Sequence, residues 1–286
     1  MDIGLVGNRR YEGLQAILAR MAREAPALGV RLVVERELDG LVPGALAGDL
    51  AAESLDVLMS LGGDGTLLRG ARLACRHGIP ILGINLGHVG FLASAGPEAG
   101  SQALERLARR AYTVESRLAL EARLGTAEPL VAVNDVVVHK GGIARVIRLA
   151  VHVDGEPIGP YSADGIIVAT PTGSTAYSMS AGGPIVAPSV DAIVVTAICP
   201  HTLAVRPLVL PATAQITIVP LEPVPGPDAE LLVSVDGQVA ARIAPHQELV
   251  VARAPRPVLL ARLGEDSFFG RLSRKLQWGD LSDRKG

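Results

Sequence analysis

The segment Gly62-Gly63-Asp64-Gly65-Thr66 sets one carboxylate among three glycines, directly after an apolar run and before a helical pattern. Glycines let a backbone turn tightly and approach a ligand, and the exposed amides of a loop at a helix start attract phosphate oxygens. The carboxylate is the unexpected element, because beside bound phosphates it repels them unless it holds a metal or takes a proton from an incoming hydroxyl. Asp64 is therefore either an acid–base group or only a helix cap at a strand-to-helix turn, and the loop alone leaves both open. Arg69, one turn further on, could steady a phosphate or lie on a solvated helix face. A second segment runs from Asp164-Gly165 through Ala169-Thr170-Pro171-Thr172-Gly173-Ser174-Thr175-Ala176-Tyr177-Ser178 to Ala181-Gly182-Gly183-Pro184. Its hydroxyls, glycine turn and aromatic ring suit a ribose and a flat base, although Ser and Thr also satisfy local turns and Tyr177 would suit a core. Neither Gly-x-x-x-x-Gly-Lys-Ser/Thr nor a strand-linked Gly-x-Gly-x-x-Gly occurs, which weighs against P-loop enzymes and standard Rossmann dehydrogenases.

The elements that must position these segments change character along the chain. Asp2 to Gly7 and Arg31 to Glu35 read as buried strands around a helical pattern at Leu14, Ile17, Leu18 and Met21; Asp56 to Leu61 and Ile79 to Asn85 read as strands around a helix from Leu67 to His77, and Pro97 to Arg109 as a further helix. Strands without alternation, separated by helices, imply a parallel sheet covered on both faces. Beyond about residue 111 the period becomes two. Strands are expected at Arg117 to Leu124, Val131 to His139, Ile147 to Val153, Ile166 to Thr170, Ile193 to Cys199, Gln215 to Pro220, Leu231 to Val235 and Glu248 to Ala252. Val258 to Arg262 is strand-like and Phe268 to Trp278 has helical spacing. The expected organisation is an α/β domain with a parallel sheet over residues 1–110, a β-rich domain over 111–254, and a segment 255–286 that returns to the first.

The 286 residues are enough for about two domains with aliphatic cores, since Phe, Tyr and Trp number 3, 4 and 1. With 27 Lys+Arg against 29 Asp+Glu the formal charge is -2, so no global field favours nucleic acid or an anionic membrane. No uncharged apolar run reaches the roughly 20 residues a bilayer requires. Arg9 and Arg10 follow the first apolar run instead of preceding it, the wrong order for a secretory signal. A cytoplasmic protein is expected. Cys75 and Cys199, the only cysteines, are expected as reduced, buried small side chains.

Gly62-Gly63-Asp64-Gly65-Thr66, Asn134-Asp135, the long segment from Asp164-Gly165 to Ser178, and Asp236-Gly237-Gln238 occur in an order that resembles the NAD kinase family, over roughly residues 2 to 279. The resemblance implies an N-terminal α/β domain, a β-rich C-terminal domain, and transfer of the terminal phosphoryl group of ATP, or of inorganic polyphosphate, to the 2′-hydroxyl of the adenosine ribose of NAD. It makes Asp64 the general base and places Gly62, Gly63, Gly65 and Thr66 in the substrate-binding turn. Asn134 and Asp135 match the pair that holds the ribose hydroxyls, although the second member is more usually Glu. Asp164 looks like the carboxylate near the nicotinamide. Thr175, Ala176, Tyr177 and Ser178, continued by Met179 and Ser180, resemble the segment that shapes the dinucleotide pocket. Arg145 matches a basic position near phosphate, and Gln238 a late polar contact. Magnesium is expected with the donor phosphates, without a metal ligand assigned in the chain. A homodimer or homotetramer is implied. Glycine-Asp loops also resemble those of lipid kinases and phosphofructokinase relatives, and a non-catalytic dinucleotide sensor is the other alternative.

Overall fold

The computed structural model describes residues 1–42, 44–87, 100–141, 146–222, 230–264 and 267–277. Its contacts divide the chain into two compact units, residues 1–116 with 258–286, and 117–257. The first holds β1 (Asp2–Gly7), α1 (Leu14–Glu24), β2 (Arg31–Glu35), β3 (Leu46–Gly48), β4 (Val57–Gly62), α2 (Asp64–His77), β5 (Pro80–Asn85), α3 (Gly100–Ala108) and most of β6 (Thr113–Arg117). The second holds β7 (Leu120–Leu124), β8 (Leu130–Ala132), β9 (Asp135–Lys140), β10 (Ile147–Val153), β11 (Glu156–Ala163), β12 (Gly165–Ala169), α4 (Tyr177–Ser180), β13 (Ala192–Ile198), β14 (Leu208–Pro211), β15 (Ile216–Pro220), β16 (Leu231–Val235), β17 (Gln238–Arg242) and β18 (Leu249–Arg253). The chain then rejoins the first unit as β19 (Val258–Arg262) and α5 (Phe268–Leu276).

The sheet of the first unit has the order β3-β2-β1-β4-β5-β19-β6. Strands β1 to β5 pair in parallel, and β19 adds to β5 in the same sense through Leu259 opposite Pro80. Every residue of β4 is buried, as expected when both faces are covered. Ile3 and Leu5 face a core built with Leu14, Leu18 and Met21 of α1 and Ala103, Leu104 and Leu107 of α3. The other face takes α2, which comes close at Gly70, where a Cβ would stand 2.8 Å from both Val6 and Ile81 side chains. Helix α2 begins at Asp64, three residues before the apolar pattern suggests, because the Gly63 carbonyl accepts from the N–H groups of Thr66 and Leu67, each at 3.1 Å. It ends at Gly78, whose left-handed backbone (φ 69°) returns its N–H to Ala74 and Cys75.

The second unit is two antiparallel six-stranded sheets, β11-β10-β15-β18-β7-β8 and β14-β13-β12-β9-β16-β17, sharing one core. Alternation assigns the faces: Val136 and Val138 of β9 point into that shared core, whereas Val137 lies on the outer face with Ile167, Ala169 and Val194. Two expected strands are interrupted. The run Arg117 to Leu124 breaks at Leu118-Ala119, where the chain leaves the first sheet for the second unit. The run Val131 to His139 breaks at Val133-Asn134, because the N–H groups there turn to the Asp236 carboxylate instead of a neighbouring strand. Cys75 is buried as expected, but Cys199 is exposed, standing just past β13 in a left-handed conformation (φ 45°). No helix among the described residues is long and apolar enough to cross a membrane.

Candidate active site

In the first unit the glycine-Asp loop is the exit of β4 into α2. Leu86 N–H donates to the Gly62 carbonyl at 3.2 Å and Asn8 N–H to that of Leu61 at 3.3 Å, so the loop is held from both adjoining strand ends. None of Gly62, Gly63 and Gly65 has positive φ; Gly63 is extended, with φ −97° and ψ −171°. What demands glycine is crowding. A Cβ on Gly62 would stand 2.5 Å from Thr66 Oγ1, and one on Gly63 would stand 2.7 Å from the Tyr11 hydroxyl, whose ring also lies 3.0 Å from a Cβ on Gly87. Around Gly65, which is exposed, a Cβ would meet nothing within 4 Å. The loop is thus tight where it rests on protein and open where α2 begins.

Asp64 is half-buried in the first turn of α2. Asp64 stands one residue past the N-cap, which is Gly63. Its negative charge suits the positive end of the helix dipole. The Arg69 side chain is 36% exposed and is tied to protein groups. Its guanidinium forks onto both carboxylate oxygens of Glu35, with Nη2 to Oε1 at 2.9 Å, and donates to the Gly7 carbonyl at 3.0 Å, while Glu35 also accepts from Gly7 N–H at 2.7 Å. The Glu35 carboxylate raises the Arg69 pKa further, and the group ties α2 to the ends of β1 and β2.

In the second unit the corresponding features gather on the outer face of the β9–β16 pair. A cavity of about 430 Å³, within the usual range for ligand pockets, is lined by Asn134, Asp135, Val137, His139, Ala176, Tyr177, Ser234, Asp236, Gly237 and Val239. Asp236 organises it. With Gly237 it forms a two-residue hairpin turn, both at positive φ (49° and 76°), and Val235 opposite Gln238. Its Oδ1 accepts from the N–H groups of Asn134 at 2.7 Å, Val133 at 3.0 Å and Asp135 at 3.4 Å, which fixes the Asn134–Asp135 turn. Asp135 itself is 3% exposed. Burial, and then the neighbouring Asp236 charge, push its pKa up to about 7.

The hydroxyl-rich segment contributes differently from its residue types. Thr170 Oγ1 donates to the Val133 carbonyl at 2.7 Å and accepts from Gly173 N–H at 3.0 Å; Ser174 Oγ donates to Pro171 at 2.6 Å and accepts from Val186 N–H at 2.9 Å. Thr175 Oγ1 bonds the Thr172 carbonyl at 3.2 Å, and Ser178 Oγ lies 3.1 Å from Thr196 Oγ1, fully buried. The buried Arg117 supports the same loop through Thr172 Oγ1 at 3.2 Å. These hydroxyls build the loop against the Asn134 turn, so closely that a Cβ on Gly173 would overlap the Asn134 carbonyl. The cavity receives Ala176 and Tyr177 instead, and Tyr177 is 46% exposed, so it is not core. Burial, Cys199, Asp164 and Asp135 all raise the Tyr177 pKa.

Asp164 pairs with Lys140 Nζ at 2.7 Å and does not line this cavity; neither do Met179, Ser180 or Gln238, although Gln238 separates the lining residues Gly237 and Val239. Arg145 lies outside the described residues. Sequence reasoning includes Asp236 only as a member of the Asp236-Gly237-Gln238 motif, without a role, and misses His139 and Ser234 as lining residues. An Asp-Gly pair after an alternating run signals the Asp236 turn, but only the fold reveals which N–H groups its carboxylate meets.

The chain matches the model of the ATP-NAD kinase N-terminal domain over residues 3–112 and that of the ATP-NAD kinase C-terminal domain over residues 133–263. It is 48% identical over 293 residues to an NAD kinase of Gemmatimonas aurantiaca, covering 100% of this chain and 99% of the relative. An NAD kinase of Heliobacterium modesticaldum is 42% identical, with 97% and 99% covered. Among solved structures, yeast NADH kinase complexed with NADH superposes with a TM-score of 0.86 at 27% identity, covering 100% of this chain and 90% of the other. An Archaeoglobus fulgidus NAD kinase in complex with ATP gives 0.75 at 25% identity, covering 97% and 99%.

Proposed function

Because the chain belongs to the NAD kinase family and phosphorylates NAD with ATP to make NADP, we propose that Asp64 is its general base and that Asn134 and Asp135 hold the acceptor ribose. In this reading the Asp64 carboxylate takes the proton of the 2′-hydroxyl as that oxygen attacks the terminal phosphorus. The bond from phosphorus to the bridging oxygen breaks, and ADP leaves with its electron pair. The open space at Gly65 and the N-terminal amides of α2 offer room and partial positive charge for phosphoryl oxygens. Asn134, which carries no charge, orients; Asp135 accepts from a ribose hydroxyl once ionised. The observation that carries the reading is Asp236, which organises the Asn134–Asp135 turn at the rim of a cavity that Tyr177 also lines.

Among the described residues no three His, Cys, Asp or Glu side chains gather as a metal cage. Magnesium would come bound to the donor phosphates, where it would neutralise developing charge, with no protein ligand assigned. Inorganic polyphosphate as a second donor, a homodimer or homotetramer as the working form, and a cytoplasmic location belong to the same proposal. The test is turnover of NAD and NADH, each with ATP and with polyphosphate, with magnesium present or chelated, and identification of the phosphorylated position. A 2′-phosphate formed only with magnesium supports the reading. A folded protein that binds NAD and yields no 2′-phosphorylated product contradicts it.

A further inference from the structure

His139 of β9 and Ser234 of β16 line the cavity beyond the Asn134–Asp135 turn, and nothing in the phosphoryl-transfer chemistry uses them. With the imidazole neutral, their hydrogen bonds have one sense. His139 Nδ1 lies 2.9 Å from the Lys140 carbonyl and Nε2 lies 2.8 Å from Ser234 Oγ. A carbonyl only accepts, so Nδ1 carries the ring hydrogen; the neutral ring then has a bare lone pair at Nε2, and Ser234 must donate its hydroxyl hydrogen to it. With its one hydrogen committed, Ser234 Oγ can act toward the cavity only as an acceptor. The neighbouring lining is apolar or aromatic, from Val137, Val239, Ala176 and Tyr177, surface that suits a flat ring.

We propose that the His139–Ser234 pair determines specificity by accepting a hydrogen bond from an amino group on the aromatic base seated in this cavity. The inference rests on reading the cavity as part of the dinucleotide site. NAD carries two such groups, the 6-amino group of adenine and the carboxamide NH₂ of nicotinamide, and the chemistry of the pair is the same for either. A site that hydrogen-bonds a substrate group discriminates against the analogue lacking it, because its own polar atom is then left facing a mismatched one.

The experiment measures kcat/KM for NAD, for its hypoxanthine analogue, which carries an oxo group in place of the purine amine, and for its nicotinic acid analogue, which lacks the amide NH₂. The proteins are the wild type, Ser234→Ala, Ser234→Thr and His139→Gln, each with a thermal melt. The wild type should prefer NAD over one analogue by about tenfold or more, the equivalent of roughly 1.4 kcal/mol, and the identity of that analogue names the base in the cavity. Ser234→Ala should bring that ratio close to one, and Ser234→Thr, which keeps the hydroxyl, should restore it. His139→Gln should reverse the preference toward the oxo or acid analogue, since the Gln amide can donate to Ser234 and turn its hydrogen to the cavity. Wild-type discrimination against neither analogue overturns the proposal, as does a ratio unchanged in Ser234→Ala or a uniform loss for all three substrates in every variant. No phosphorylation of NAD itself would instead overturn the underlying reading of the site.

Discussion

With the proposed ribose contact, Asp135 should tie stability and substrate binding to pH in opposite directions. Its carboxyl, 3% exposed and beside Asp236, titrates at about 7 in the folded protein, against 3.8 for an unperturbed Asp. Between those values the native state keeps a proton that the unfolded chain has released, so stability falls as pH rises from about 4 to about 7 and then levels off. At about 1.4 kcal/mol per pH unit, the loss over the window is on the order of 4 kcal/mol. Asp135→Asn removes the linkage while nearly preserving shape. Without ligand the variant should melt close to wild type at pH 4 and clearly higher at pH 8. If Asp135 holds the acceptor ribose as proposed, NAD binding should run the other way, because a ribose hydroxyl would donate to the ionised carboxylate. Ionisation rises from about one tenth at pH 6 to about nine tenths at pH 8, so calorimetric affinity should improve roughly ninefold in wild type, and be weaker and flat with pH in the variant. Melting profiles that run parallel from pH 4 to 8, with a wild-type NAD affinity that does not respond to pH, would refute the argument.

Asp236→Ala leaves three N–H groups of the Asn134 turn without their acceptor and forces Ala into a positive φ, so it should cost about 1–3 kcal/mol in a urea melt and weaken NAD binding. Asp236→Asn, which keeps an acceptor oxygen and tolerates that backbone, should recover part of both. Gly62→Ala drives a Cβ against Thr66 and should lower stability by about 1–3 kcal/mol. Gly65→Ala meets no protein atom, so it should melt like wild type yet lose phosphoryl transfer if that space receives the donor; equal activity would remove Gly65 from the site.

Much of the first unit was legible because buried parallel strands leave unbroken apolar runs: Arg31–Glu35 and Val258–Arg262 are strands over the expected residues. Four of the five strands that periodicity did not reveal have local reasons. Leu46–Gly48 is only three residues long. Glu156–Ala163 contains Pro157, Gly159 and Pro160, tolerated because it is an edge strand with a bulge opposite Val151-His152. Leu208–Pro211 and Gln238–Arg242 are edge strands with little burial to create alternation. Two of these four follow Asp-Gly turns, Asp154-Gly155 and Asp236-Gly237, a hairpin signal stronger than the alternation itself. At the site, residue types suggested ligand hydroxyls where the fold uses Thr170, Ser174 and Ser178 to hold a loop together. Hydroxyl chemistry is the same in both roles, and only packing decides between them.

Steady-state turnover of Asp64→Asn across magnesium concentration, with NAD binding and a thermal melt on the same protein, decides whether Asp64 is the base for phosphoryl transfer. An amide nearly preserves the shape of the side chain but cannot take the 2′-hydroxyl proton. The variant should fold, bind NAD and turn over about 10²- to 10⁴-fold more slowly at saturation, a barrier increase of roughly 3 to 5.5 kcal/mol. Turnover near the wild-type rate, or a rate that added magnesium restores, would contradict that role.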